Sequence, residues 1–508
     1  MKIETLIALP AAGKTDAILS HVLETKEKAV IASPSRVLSE QSYNKFKRMG
    51  GRAVLIDSTR LRSLKTVQAS IMQSVKDGAD VIFITHTALS NMERSKMFGD
   101  YALYIDEVPQ LVEFNEYPFK SNLELITKHC EPIADESECL QNLVLKDSEK
   151  AAIKEKIESA KDGTDMIDSS LRGLYEALLE KKINVMVKHN EGHRKNGSKI
   201  VFLNDNKHGT WGDFKKVTIA CANLFDTYSG KYLRYYANCD FVPSALESRL
   251  YFKEYKNTDR VNIILMTDSE RWSRHQSETN NTFERLVDMV KNECGDDFIY
   301  TVNRDREACT NGIGERIPYG SYGLNSYIHH KNVAVMFSFN PQRWEIDILK
   351  GLANSCDLPT NEFLKARHVS DYLEPAFQLC LRCNLRDNES KENVNLYVPD
   401  WALVDYLKTF LPNANVITDR MIPLECGERK GRKSFKKMFD FNEQENARFN
   451  GFKYRMKKKG KTLDPSDGES VEMVRVWITK QRKYNGNGGL ARKGYFLNNS
   501  EGAKCLIM

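Results

Sequence analysis

The sequence predicts an α/β protein with two parallel-sheet lobes, a helical segment interrupting the first lobe, and a basic region at the C-terminal end. Three observations lead there. Short apolar runs alternate with amphipathic stretches over residues 1–110, and again from about 261 to 398. The first of these runs leads directly into Ala-x-x-x-x-Gly-Lys-Thr and then into a helical pattern. After residue 411 the composition shifts, with 21 Lys/Arg against 11 Asp/Glu.

The elements follow in order. Apolar runs at 5–8, 29–33, 54–57, 81–85 and 101–105 read as strands, and 14–23 and 36–47 read as helices between them. Strands alternating with helices make a parallel sheet covered on both faces. Residues 115–206 are rich in Lys and Glu, which reads as solvated helices rather than sheet. Strand signal returns at 216–222, and a second alternating unit runs through 261–266, 298–302, 333–338 and 394–398. The domains expected are therefore 1–255, with a helical insertion at about 115–210, then 256–410, then a basic region at 411–508.

The bulk composition narrows the class. A chain of 508 residues with 41% hydrophobic residues can build more than one sizeable core. Its net charge of +6 permits a nucleic-acid partner without requiring one. Eleven cysteines without framework spacing fit free thiols in a reducing compartment. Cys380 and Cys383 form a C-x-x-C with no second pair, so they do not read as a zinc site. The final Cys505-Leu-Ile-Met508 has the shape of a prenylation box but lacks a polybasic run before it. No apolar run approaches the ~20 residues that span a bilayer. No membrane association and a cytoplasmic location are expected.

Ala8-Leu-Pro-Ala-Ala-Gly13-Lys14-Thr15 lies between a strand and a helix, the setting of a phosphate loop. The backbone of Pro10, Ala11, Ala12 and Gly13 can present N–H groups to an anion, aided by the helix N-terminus. Lys14 supplies charge to the β- and γ-phosphates, and Thr15 can ligate Mg2+. Position 8 is Ala where the general motif has Gly. Leu103-Tyr-Ile-Asp106-Glu107 is an apolar strand ending in two acids. Strand ends of open α/β sheets face the ligand crevice. There Asp106 can hold Mg2+ and Glu107 can activate the attacking water. ATP and Mg2+ are the cofactors expected.

The order of motifs resembles superfamily 2 helicases. Ala32-Ser-Pro34-Ser-Arg36-Val-Leu38-Ser-Glu40-Gln41 resembles motif Ia, Ile84-Thr85-His86 the Thr-His segment, and Asp106-Glu107-Val108-Pro109 the DExx box. Ala220-Cys221-Ala222-Asn223 stands where Ser-Ala-Thr is usual. In the second lobe, Ile299-Tyr-Thr-Val-Asn303, Ser321-Tyr-Gly323-Leu-Asn325 and Gln378-Leu-Cys-Leu-Arg382-Cys-Asn-Leu-Arg386 resemble motifs IV, V and VI. Motif VI departs from the usual pattern, with Leu381 in place of Gly and Arg386 four rather than three residues after Arg382. Bacteriophage-encoded helicases often diverge this far.

This resemblance implies two RecA-like lobes and an ATP-dependent helicase or translocase. Gly323 and Asn325 would contact nucleotide, and Gln378, Arg382 and Arg386 would act catalytically beside Glu107. The two arginines are expected about one turn apart on a helix, so that both face the cleft. Ser33, Arg36, Thr85 and His86 would grip nucleic acid, DNA rather than RNA, with replication or recombination proteins as further partners. His86 reads equally as a satisfied histidine at a helix start. In the tail, Lys457, Lys458 and Lys459 interleave with Phe452 and Tyr454, a pattern suited to phosphates and unpaired bases. Two other functions remain open. A phage-terminase-like packaging ATPase should bring a cluster of nuclease acids, and none is legible. A nucleotide-binding scaffold without motor activity is opposed by the intact Lys14, Asp106 and Glu107.

Overall fold

A computed structural model describes residues 1–61, 66–119, 122–131, 140–162, 165–180, 185–189, 198–205, 208–310, 312–320, 326–387, 389–424, 435–439, 441, 443–458, 461, 463 and 467–484. The chain divides into two compact units, Met1–Leu424 and Glu425–Met508.

The first unit opens with β1 (Lys2–Ile7), β2 (Ala29–Ser33), β3 (Ala53–Leu55), β4 (Val81–Thr85) and β5 (Ala102–Asp106). Helices α1 (Lys14–Thr25) and α2 (Arg36–Arg48) follow β1 and β2. Next come β6 (Val112–Phe119), β7 (Leu140–Asn142), β8 (Met186–His189) and β9 (Ser198–Asp205). Then β10 (Lys216–Cys221) and β11 (Asp240–Pro243) return to the first sheet. That sheet is wholly parallel, in the order β11-β1-β10-β5-β2-β4-β3. Its central strands β2 and β5 are buried along their whole length. Helices cover both faces of such a sheet, which is why these strands read as unbroken apolar runs.

The second half of the unit holds β12 (Val261–Leu265), β13 (Ile299–Val302), β14 (Glu315–Arg316), β15 (Asn332–Met336), β16 (Val394–Val398) and β17 (Asn415–Ile417). They form another parallel sheet, ordered β14-β13-β15-β16-β12-β17. This sheet extends past residue 410, because β17 pairs with β12.

The stretch between β5 and β10 corrects the helical expectation. Helices Lys150–Asp162 and Met166–Leu179 do form there, but β6, β9, β8 and β7 also build an antiparallel sheet in that order. Ile200 to Leu203 on β9 are essentially inaccessible. The partner strand, β6, starts more than 80 residues earlier, with Val112 opposite Asp205. Pairing over that distance leaves no periodic local trace, whereas the Lys/Glu-rich helices dominate the composition.

The largest apolar core spans the first sheet, the antiparallel sheet and two helices that come much later, Arg343–Ser355 and Thr360–His368. Trp344 meets Phe114 edge-on, with centroids 5.9 Å apart, and Phe363 meets Tyr228 at 5.7 Å. The Arg367 guanidinium lies 4.4 Å from the Phe114 ring centre. Second-half helices are thereby sealed into the first-half core. Among the described residues, no helix is long and apolar enough to cross a membrane.

In the second unit, helices Phe435–Phe439, Glu443–Lys458 and Gly468–Tyr484 surround a core of Phe441, Phe449, Val474, Trp477 and Ile478. Phe452 stacks on Trp477 at 5.1 Å. Lys457 and Lys458 end the second of these helices. Lys459, the basic run 429–433, Phe496 and Cys505–Met508 lie outside the described residues.

Candidate active site

Five loops converge because five parallel strands end at one edge of the first sheet. Ile7 of β1 stands opposite Cys221 of β10, Asp106 of β5 opposite Ala220, and Ser33 of β2 opposite Thr85 of β4. The phosphate-loop residues, the Asp-Glu pair and the Ala220–Asn223 turn therefore meet without any further instruction from the chain.

The loop after β1 is bent by two positive-φ residues, Ala11 (64°) and Gly13 (87°). Gly13 caps α1 through its backbone, with no side-chain cap. The Lys14 ammonium donates to the carbonyls of Ala8 (3.0 Å) and Leu9 (3.3 Å) and lies 3.9 Å from Glu107. Thr15 Oγ1 donates to Asp106 Oδ2 at 2.8 Å. Burial, then the neighbouring Glu107, pushes the Asp106 carboxyl up to about 6. Such a buried anion, with a hydroxyl beside it, fits a hard divalent cation. Glu107 sits at φ 67°, a conformation that costs a non-glycine residue about 1–2 kcal/mol. The hydrogen bond from its N–H to Ala220 O (2.7 Å) holds it there.

A cavity of about 550 Å³ opens over these groups. Pro10, Ala11, Gly13, Lys14, Thr15, Asp106 and Glu107 line it from the first half, and Gln378 and Arg386 from the second. The arginines do not share a helix as expected. Helix Glu374–Cys380 stops before Arg382, and Arg386 ends a separate short turn, Asn384–Arg386. Arg382 is buried, 2% exposed, beside Thr301, Pro318 and Gln378 rather than in the large cavity. Arg386 Nε donates to Leu381 O at 2.6 Å, and burial lowers its pKa. The buried Arg260 fastens this turn, donating to Asn384 Oδ1 (2.9 Å), Asn384 O (3.0 Å) and Asp387 O (3.1 Å). Geometry thus separates two arginines that spacing alone leaves equivalent.

Gln378 is held from behind. Its Nε2 donates to Glu374 Oε1 at 3.0 Å, and Tyr406 Oη donates to Glu374 Oε2 at 2.7 Å. Asn223 Nδ2 in turn donates to Tyr406 Oη at 3.0 Å. This relay joins the turn after β10 to the helix carrying Gln378. Burial raises the Glu374 carboxyl to about 7. Glu374 lies one helical turn before Gln378, a spacing that could have revealed it. Nothing in the sequence marks Tyr406, or the Tyr251 and Tyr255 that close over the phosphate loop.

None of the four residues expected to grip nucleic acid in the first half lines the cavity. Ser33 is fully buried, and its Oγ has no hydrogen-bond partner among the described residues. Arg36 is exposed at the start of α2, and Thr85 Oγ1 caps the helix His86–Ser90 by accepting from Ala88 N at 3.2 Å. His86 Nε2 lies 2.9 Å from the Asp106 carbonyl. Burial, opposed by the carbonyls of Asp106 and Ala32, lowers its pKa to about 4, so the neutral ring braces the strand end behind the acids. Gly323 and Asn325 lie outside the described residues. Cys380 and Cys383 are buried thiols, and burial raises Cys383 to about 11.

Residues 5–144 match the DEAD/DEAH box helicase family. No curated protein matches the chain in sequence. Among solved structures, the chain is similar to an XPD helicase at 12% identity and TM-score 0.45, covering 82% of this chain and 96% of that one. S. tokodaii Xpd4 gives 10% identity and TM-score 0.47, covering 83% and 95%. S. cerevisiae Dbp5 bound to RNA and ADP BeF3 gives 11% and 0.31, covering 84% and 86%. At such scores these likenesses carry no weight beside the family match. The segment that matches this family, residues 5–144, holds both the phosphate loop and the Asp106-Glu107 strand end, so over its first lobe the chain is similar to the DEAD/DEAH box helicases.

Proposed function

We propose that the protein is an ATP hydrolase whose two RecA-like lobes convert nucleotide turnover into movement on nucleic acid, as a helicase or translocase. One observation carries the reading. Lys14, Thr15, Asp106 and Glu107 from the first lobe share one cavity with Gln378 and Arg386 from the second.

Phosphoryl transfer asks for positive charge around the transferring group and an oriented water. Lys14 is the first-lobe cation. Thr15 and Asp106 would hold a magnesium ion, which supplies charge on the phosphate oxygens when bound. Glu107 takes the proton of the attacking water, and Gln378 orients that water. Arg386 adds charge from the second lobe. Because Arg386 and Gln378 belong to the other lobe, the complete set depends on how the lobes meet, which couples hydrolysis to closure. Arg36 at the start of α2 and Thr85 at the end of β4 are the first-lobe grip on phosphates, and the second unit with Lys457 and Lys458 is an accessory one.

The test is ATP hydrolysis measured in parallel with single-stranded DNA, duplex DNA, branched DNA and RNA. Stimulation by at least one of them is expected. Turnover that ignores all four would remove the motor reading and leave a nucleotide-binding scaffold.

A further inference from the structure

Between residues 446 and 461 the chain carries seven Lys/Arg and no acid, with Phe449 and Phe452 set among them. The helix Glu443–Lys458 sorts the two kinds of side chain. Phe449, Phe452 and Met456 follow one another at helical spacing and pack in the core of the second unit. The Phe452 ring stacks on Trp477 with their planes 17° apart, and the Phe449 ring lies 5.4 Å from the same indole. Lys453 and Arg455 are exposed. Among the described side chains of this unit, every aromatic ring belongs to the core or packs against it. An interleaving that suits unpaired bases when read as sequence thus folds with the rings inside and these cations outside.

The acids of this unit whose side chains are described are all engaged. Glu445 is buried and pairs with Arg482 at 2.7 Å, Glu469 pairs with Lys461 at 2.9 Å, and Glu472 with Arg475 at 3.1 Å. Asp467 accepts from Ser470 N at 2.9 Å. Lys453 and Arg455 have no ion-pair partner among the described residues. Residues 425–508 hold 20 Lys/Arg against 10 Asp/Glu, so the excess charge cannot be neutralised within the unit.

Unneutralised cations held on a helix suit phosphates. Grips on single strands add the stacking of bases on aromatic rings, and here the described rings stack on one another instead. A duplex carries one charge per about 1.7 Å of its axis, against about 3.4 Å for one of its strands, so it offers the denser row of phosphates.

We propose that the second unit is a surface for double-helical nucleic acid, held through backbone phosphates rather than bases, with Lys453 and Arg455 among its phosphate contacts. The proposal rests on the nucleic-acid reading above and gives the accessory grip its substrate class.

The experiment is a salt titration of binding to a DNA duplex, an RNA duplex and a DNA single strand of equal length. It compares the full chain with its Lys453→Gln/Arg455→Gln and Phe452→Leu variants, after thermal melts establish that each is folded. In the double variant the log–log slope on at least one duplex should flatten by about 1.8, from about 0.9 for each phosphate no longer neutralised. The slope on the single strand should change by less than half as much. Phe452→Leu should melt at a lower temperature, because the core loses a ring, and keep all three slopes. Equal flattening on single strand and duplexes, or none on any of them, would overturn the proposal while leaving the motor reading in place. Weakened single-strand binding by a folded Phe452→Leu would overturn it as well, since the ring would then be reaching a base. If the wild-type chain binds none of the three, the nucleic-acid reading itself falls and the proposal with it.

Discussion

Asn223, in the turn after the last central strand of the first lobe, donates a 3.0 Å hydrogen bond to the phenolic oxygen of Tyr406 in the second lobe. Tyr406 extends the chain of hydrogen bonds by donating to Glu374, which accepts from Gln378 through its other oxygen. The relay implies an order of effects. Tyr406→Phe strips a donor from a buried carboxylate and should cost about 1–3 kcal/mol of stability. Asn223→Ala leaves that donor in place and should cost about 1 kcal/mol or less. Both should lower stimulated ATP hydrolysis while sparing ATP binding. Denaturant melts and steady-state rates check this, and a reversed order of stabilities would break the relay.

Lys14→Ala should abolish hydrolysis, because the phosphates lose the first-lobe cation. Glu107→Gln should bind ATP normally yet turn it over ~10²–10⁴-fold more slowly, the usual worth of a general base. Nucleotide binding and single-turnover rates separate the two. Normal turnover in Glu107→Gln would remove Glu107 from the role of base.

The two arginines should part company. Arg386→Ala should depress stimulated hydrolysis with little change in melting, since its side chain faces the cavity. Arg382→Ala should unfold more easily, by roughly 2–4 kcal/mol, because a large buried side chain is removed from the second lobe. Rates corrected for folded fraction decide the matter. A stable, inactive Arg382→Ala would reverse the assignment.

Glu374 supplies a pH signature. Its carboxyl holds a proton up to about pH 7 in the folded chain, against an ordinary value of 4.5. Between those values the folded state binds more protons than the unfolded one, so stability must fall as pH rises through this window and then level off. Glu374→Gln should flatten that part of the curve. Urea melts of both proteins at pH 5, 6, 7 and 8 measure the difference. A parallel pair of curves would place the titration elsewhere.

Truncation should be made after Leu424. Ending the chain near 411 would remove β17 and the hydrogen bond from Ile422 N to Met266 O, both part of the first unit. Removing residues 425–508 should leave basal hydrolysis intact and flatten the salt dependence of nucleic-acid binding, by about 0.7–0.9 in log–log slope for each phosphate that the shorter chain no longer neutralises. An unchanged slope in a folded truncation would assign the grip wholly to the first unit.

The sequence by itself determined the parallel-sheet strands and where the phosphate-loop residues and the strand-end acids fall along them. β2, β4 and β16 fall where the apolar runs place them, at 29–33, 81–85 and 394–398. Strands buried on both faces must be continuously apolar, and a phosphate loop and strand-end acids are local features of a few consecutive residues. Tertiary structure decided the rest, because it depends on pairings between distant residues. It set β6 against β9, sealed Trp344 and Phe363 into the first-lobe core, and put Arg386 in the cavity while burying Arg382. It also turned His86 toward the Asp106 carbonyl and brought Tyr251 over Gly13, more than 230 residues away in the chain. A side chain's partner across such a distance is set by which strand ends share a sheet edge, and no window of neighbouring residues contains that information.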